Sequence, residues 1–156
     1  MKPNLKKLLI NLAIPLAAGG LSALLSGSGM GQYPQLNQPP LSPPGWVFPV
    51  VWTILYLLMG YAAYRVLTSG TDPKQIHKAI LLYGAQLFFN FLWSPVFFGL
   101  RWYLAAFFVL LILWALIFFT MRIFASIDER AGDLLIPYIL WVTFAGYLNL
   151  GVYLLN

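Results

Sequence analysis

The sequence predicts an all-α membrane protein: one domain, residues 1–156, built as a single bundle of five transmembrane helices. Three observations predict it. Hydrophobic residues make up 61% of the chain and charged residues only 8%, where a soluble domain carries about a quarter charged. Mean hydropathy is +0.80, so the surface is one that lipid rather than water can cover. The charges fall between five apolar stretches, each near the roughly 20 residues that cross the hydrocarbon core.

Taken in order, the spans cover about 8–25, 46–66, 80–100, 103–123 and 134–155. None alternates with the period of two of a barrel strand. In lipid each backbone group must find its partner inside the segment, so runs of this length are read as helices. The first span follows Lys2, Lys6 and Lys7 and ends near Ser26-Gly27-Ser28-Gly29, an arrangement that also fits a cleaved signal peptide. The length of the apolar run and the lack of an Ala-x-Ala site favour a retained helix. Gly19, Ala23 and Gly27 share one face of it, where another backbone could approach, within the bundle or in a homodimer.

The connection 27–45 is long, uncharged and rich in proline: Pro34, Pro39, Pro40, Pro43 and Pro44. Proline removes donors and fixes φ, so the segment is expected to be non-helical. Its length and lack of charge favour a cap folded over the bundle rather than a solvated linker. The basic residues orient the whole. Lys2, Lys6, Lys7, Arg65, Lys74, Lys78, Arg122 and Arg130 fall on one side, and Arg101 alone on the other. The N-terminus is therefore expected in the cytoplasm and the C-terminus outside, in a multi-pass protein of the cell membrane. The net charge of +5 reads as this topology signal, and no basic stripe for nucleic acid is present.

Polar groups inside the spans mark the candidate site. Tyr83, Gln86, Asn90, Trp93 and Phe97 recur at steps of three and four, forming one stripe of the third helix. Amides at membrane depth face a bundle interior or cavity, either bonding neighbouring helices or meeting a ligand. Pro95 frees a carbonyl one turn back. In the second span Trp46 sits at belt depth, while Trp52, with Tyr56 a turn beyond, lies deep enough to line a cavity. In the fifth, Pro137, Trp141, Ala145 and Asn149 share a drifting flank that suits a pocket wall. Together these describe an apolar, aromatic-walled cavity with a few amide and indole donors, suited to a flat and largely apolar molecule. It does not suit ion conduction or proton-driven carriage, because no charged ring or buried acid lies within a span. With no cysteine and one histidine, His77 beside Lys74 and Lys78 at a helix start, no metal site is expected.

At these residues the chain resembles the TspO/MBR family of tryptophan-rich sensory and translocator proteins, which includes the peripheral benzodiazepine receptor. The resemblance is carried by Pro43-Pro44-Gly45-Trp46-Val47-Phe48-Pro49-Val50-Val51-Trp52-Thr53, by Gln86 to Gly99 and by Pro137-Tyr138-Ile139-Leu140-Trp141, and it covers essentially the whole chain. It implies a pocket between the helices beneath the first loop, with Tyr33, Trp52, Asn90 and Trp141 at the lining positions. It implies porphyrin or haem as ligand, benzodiazepine-type molecules as alternative ligands, no required cofactor, and a homodimer. The implied role is tetrapyrrole sensing, transport or regulation. The alternative is an enzyme that degrades porphyrin with light and oxygen, Trp52 and Trp141 then being the implicated residues; otherwise no catalytic group is expected. Two departures stand out. Gln32-Tyr33 and Gln38-Pro39 replace the family's Trp-Tyr and Lys-Pro, so a ligand carboxylate loses a lysine partner. No basic residue follows Tyr153, and Leu58, Tyr61 and Arg65 meet the loose cholesterol pattern through composition alone.

Overall fold

The computed structural model describes residues 4–156, and of residues 28–30 the backbone only. Lys2 lies outside the described residues. Among the described residues, five helices are long and apolar enough to cross a membrane. Helix α1 is Leu5–Ser26, α2 Val47–Leu67, α3 Pro73–Ser94, α4 Tyr103–Ile127, α5 the short Glu129–Asp133 and α6 Ile136–Leu155. The fifth span is α5 and α6 together, Glu129–Leu155.

Local chemistry sets the helix ends. Asn4 caps α1, its side chain accepting from Lys7 N at 3.2 Å, and Asp72 caps α3, accepting from Lys74 N at 3.2 Å, with Pro73 in the first turn. Gly27 closes α1 at φ 65°, a conformation that side chains with a Cβ adopt at a cost. Beyond it the chain tightens into a 3₁₀ helix, Gly27–Gln35. The expectation of a wholly non-helical connection is corrected here. The prolines cluster from Pro39 onward, and the glycine-rich first half carries only Pro34, so late in the turn that just one hydrogen bond near its end loses a donor.

Proline shapes α3 as the sequence suggested. Pro95 lacks the N–H that would bond Phe91, and Ser22 of α1 donates its hydroxyl to that free carbonyl at 2.8 Å. The chain then widens into a π turn, Pro95–Gly99, with Leu100 N bonding Pro95 O at 2.9 Å. Ser26, which donates to Ser22 O, also lies 2.6 Å from the Ser94 hydroxyl. Three serines thus lock α1 and α3 together at the end next to the 3₁₀ helix.

Around the bundle, α1 lies against α2 and α3, α3 against α4, and α4 against α6. α6 meets α2 through aromatic rings, Trp52 against Tyr138 and Trp141 at 6.3 and 6.4 Å. Buried positions of α4 run Ala106, Leu110, Leu113, Ile117, Thr120, Phe124, alternating steps of four and three. That spacing keeps one seam facing its neighbours, and the rest of the helix is left to lipid. The α3 stripe has the same rhythm, and Tyr83, Gln86, Asn90, Trp93 and Phe97 are all buried. At the end away from the 3₁₀ helix Arg65 spans to Asp128, Nε to Oδ2 at 3.0 Å, while Asp128 Oδ1 caps α5 by accepting from Arg130 N at 3.0 Å. Trp46 and Trp102 are exposed at the opposite end, where belt residues sit.

Candidate functional site

A cavity of about 320 Å³ lies in the half of the bundle beneath the 3₁₀ turn, between α1, α2 and α3. That is at the lower end of the roughly 300–1,000 Å³ common for small-molecule sites. Its ceiling is Tyr33 of the 3₁₀ turn, its walls include Phe48, Trp52, Tyr56, Trp93 and Phe98, and no charged residue lines it. The α1 wall is made of Leu16, Gly19, Gly20, Ser22 and Ala23. A residue without a side chain is needed at Gly19. A Cβ at Gly19 would run into the Tyr56 ring, so glycine lets the ring stand against α1. The shared face of Gly19 and Ala23 therefore receives an aromatic ring, while the close backbone approach occurs lower down, where Gly60 of α2 lies against the Asn11 carbonyl.

Behind the cavity runs a chain of hydrogen bonds. Tyr56 donates to Asn90 Oδ1 at 3.0 Å, Asn90 Nδ2 donates to the Tyr138 hydroxyl at 2.7 Å, and Tyr138 donates to Gln86 Oε1 at 2.7 Å. Gln86 Nε2 ends the chain against Met59 Sδ at 4.0 Å. Each buried amide thus has partners on other helices, which keeps its desolvation from going unrepaid. Nearer the cap, Trp93 Nε1 donates to Asn149 Oδ1 at 2.9 Å, and Asn149 Nδ2 donates to Tyr103 O at 2.7 Å.

Of the residues singled out in the sequence, Tyr33, Trp52, Asn90 and Trp93 come together on the cavity wall. Gln86 is fully buried one turn below, on the hydrogen-bond chain and off the wall. Trp141 stands behind Trp52 and beside Phe48, edge-to-face at 5.8 Å from the latter, with its buried N–H unbonded. Ala145 and Asn149 line a gap of about 10 Å³ beneath Tyr33 and Trp93, too small to count as part of the cavity. Tyr138 and the α1 wall escaped the sequence reading. A tyrosine bracketed by Pro137 and Trp141 was the available signal for the first, and the Gly19-Gly20 pair for the second.

The cap is fixed on the far side. Tyr147 of α6 donates to Pro40 O at 2.7 Å, Asn156 Nδ2 donates to Asn37 O at 2.8 Å, and Asn37 N donates back to Asn156 Oδ1 at 3.2 Å. Pro39 sits in a notch that Gly151 leaves open, since a Cβ there would overlap the proline ring. Tyr33 is 5% exposed, edge-on to Phe48 at 5.2 Å and Phe98 at 6.0 Å. Burial pushes its phenol pKa above the usual value; the Ser42 hydroxyl opposes this in part. Ser42 donates its proton to Pro39 O, and the Tyr33 hydroxyl is left without a formed bond. His77 is exposed at the start of α3. Among the described residues no group of three His, Cys, Asp or Glu side chains is assembled that could hold a metal.

The profile of the TspO/MBR family matches residues 11–155. The chain is 41% identical over 124 residues to the tryptophan-rich protein TspO of Chlorobaculum tepidum, covering 80% of this chain and 78% of the relative. It is 37% identical over 139 residues to protein CrtK of Rhodobacter capsulatus, covering 89% and 86%. With the translocator protein of Bos taurus it shares 35% over 138 residues, covering 87% and 82%.

Proposed function

This chain belongs to the TspO/MBR family of multi-pass membrane proteins, and from that membership and its cavity we propose that it binds porphyrin-type tetrapyrroles for sensing or transport. The observation that carries the reading is the cavity itself. Trp52, Tyr56, Trp93, Phe48 and Phe98 offer apolar ring faces, and Asn90 offers an amide with no charge nearby. A flat conjugated molecule buries most area against such walls, and ring-on-ring contacts add about 0.5–1.5 kcal/mol each beyond burial. Haem shares that flatness, and benzodiazepine-type molecules offer separate aromatic rings to the same walls. Titrating protoporphyrin into the purified protein in darkness tests the reading. Saturable quenching of tryptophan fluorescence at one site per chain is expected, and its absence would sink the proposal.

Light-dependent porphyrin degradation is the second reading, favoured by the indole pair Trp52 and Trp141 at 6.4 Å beside the cavity. For general acid–base catalysis the described residues of this wall offer no histidine, carboxylate, lysine or cysteine, only the phenols of Tyr33 and Tyr56. Illuminating the loaded protein in air separates the readings: loss of the Soret band that disappears in Trp52→Phe supports chemistry, and an unchanged band supports binding alone.

We further propose that Lys6, Lys7, Arg65, Lys74, Lys78, Arg122 and Arg130 face the cytoplasm and the cap faces outward, in the cell membrane. All seven cluster at one end of the bundle, at helix ends and connections opposite the cap. Single cysteines at Gln35 and Ser126 should label from opposite sides of oriented vesicles. Labelling from one side would overturn this orientation.

A further inference from the structure

We propose that the cavity exchanges its ligand directly with the outer half of the bilayer, through a window between α1 and α2, and not by opening of the cap. The inference rests on the ligand-binding reading above and adds to it the route, and hence a demand on the ligand: it must dissolve in lipid.

The window is visible in the wall residues. Gly20 and Ala23 on α1 and Gly45, Pro49 and Thr53 at the edge of α2 line the cavity and are exposed. On the opposite wall Asn90 and Trp93 are buried. The opening therefore faces sideways. Thr53 lies six residues into α2 and Gly20 six residues from the end of α1, so both sit about 9 Å down their helices, at 1.5 Å per residue. At that depth the neighbour is acyl chain. The rim is suited to it, because Thr53 Oγ1 donates to Pro49 O at 2.7 Å and leaves no hydroxyl seeking water.

Two features keep the window open while the helices stay joined. Lower down, Gly60 brings the α2 backbone against Asn11 O, the carbonyl that Pro15 cannot bond from the next turn of α1. Higher up no described atom lies within 4 Å of a Cβ built at Gly20, so the space beside it is open above the Gly19–Tyr56 contact. The cap, by contrast, is tied to α6 through Asn37, Pro39 and Pro40, and Tyr33 is buried beneath it. The least obstructed path out of the cavity is the lipid-facing one.

The test reads release of protoporphyrin from the protein in lipid vesicles, in darkness, after mixing with an excess of empty vesicles. Gly20→Trp and Thr53→Trp each place an indole in the window. Release should slow at least about tenfold in either, because a blocked path slows exit, whereas a merely weakened contact speeds it. The second variant stands in if the first fails to fold. Separately, Asn37→Cys and Asn156→Cys are joined by a short bis-maleimide; the chain has no other cysteine to react. The joined cap should release at the wild-type rate. Release that is unchanged or faster in both window variants overturns the proposal, and so does slower release from the joined cap. A wild type that takes up no porphyrin fails at the earlier step and sinks the ligand reading itself.

Discussion

Between Asn11 and Gly60 the backbones of α1 and α2 touch, while a few turns further out the same two helices stand apart around a cavity. The half away from the cap, the inner half, is closed by main chain and by the Arg65–Asp128 pair, the cap half by aromatic side chains and a serine lock. Backbone contact is rigid, since neither side has a rotamer to change. Ring contacts can slide, and an apolar guest can replace some of them without exposing a polar group. The stability of this bundle and its capacity to bind are therefore held in different halves.

The sharpest way to break that contrast is to put the same change in each half. A Cβ at Gly60 would collide with the Asn11 carbonyl, and neither backbone can yield locally. Gly60→Ala is expected to cost about 3 kcal/mol, at the upper end for overpacking. Gly20→Ala meets nothing within 4 Å and should be neutral or gain up to about 1 kcal/mol from helix propensity. Melting curves in the same detergent decide it. Equal melting temperatures for the two variants would mean that the inner contact is not rigid.

Asn90 joins the two halves, and its predicted effect is next in size. From the sequence alone an amide here either bonds helices or meets a ligand. In the structure it lines the cavity and also accepts from Tyr56 and donates to Tyr138. Asn90→Leu leaves the buried Tyr138 oxygen with no donor and the Tyr56 hydroxyl with no acceptor, for a loss of about 1–3 kcal/mol of stability. Porphyrin affinity should fall as well, through the loosened Tyr56 ring. Unchanged melting with weakened binding would place Asn90 on the ligand alone.

How far the sequence reached follows the same division. Helical periodicity placed Tyr83, Gln86, Asn90, Trp93 and Phe97 on one face, and all five are buried, because period depends only on local geometry. Pro95 announced its free carbonyl, but the partner that takes it, Ser22, is 69 residues away. The Tyr56–Asn90–Tyr138 chain joins residues 34 and 48 apart. Nothing in a single span tells which ring on which helix will stand opposite an amide. Gly19 and Gly60 look alike as sequence; one receives a ring and the other a backbone. The 3₁₀ turn over Gly27–Gln35 was hidden because prolines dominate the reading of the whole connection, although they crowd into its second half.

A smaller effect should appear at the serine lock. Ser22→Ala leaves the Phe91 carbonyl without a donor at the junction of α1 and α3. Interhelical hydrogen bonds in membrane proteins average about 0.6 kcal/mol, so melting should shift only slightly. Release of porphyrin should hardly change, because α3 is not the side on which the window opens. A marked change in release would show that the α1–α3 contact, and not the α1–α2 gap, controls the cavity.

The smallest effect on stability, and the most informative about the cavity, is expected at Tyr33. Its ring packs on Phe48 and Phe98, while its buried hydroxyl bonds nothing. Tyr33→Phe keeps the ring and removes a polar atom whose burial is uncompensated, so the empty protein should melt at the same temperature or slightly higher. Tyr33→Ala removes the ring as well and takes the ceiling from the cavity, so binding should weaken strongly while the inner half holds the fold. The comparison between the two variants isolates the hydroxyl. If a ligand acceptor reaches it, Tyr33→Phe loses about 1 kcal/mol of binding, roughly fivefold in affinity. If the ligand touches only the ring, Tyr33→Phe binds as the wild type does and Tyr33→Ala alone is impaired. Fluorescence titrations of all three proteins, with melting curves alongside, measure both quantities. A Tyr33→Phe protein that melts well below the wild type would show that the hydroxyl is bonded after all, and would assign the cap to the rigid half of the molecule.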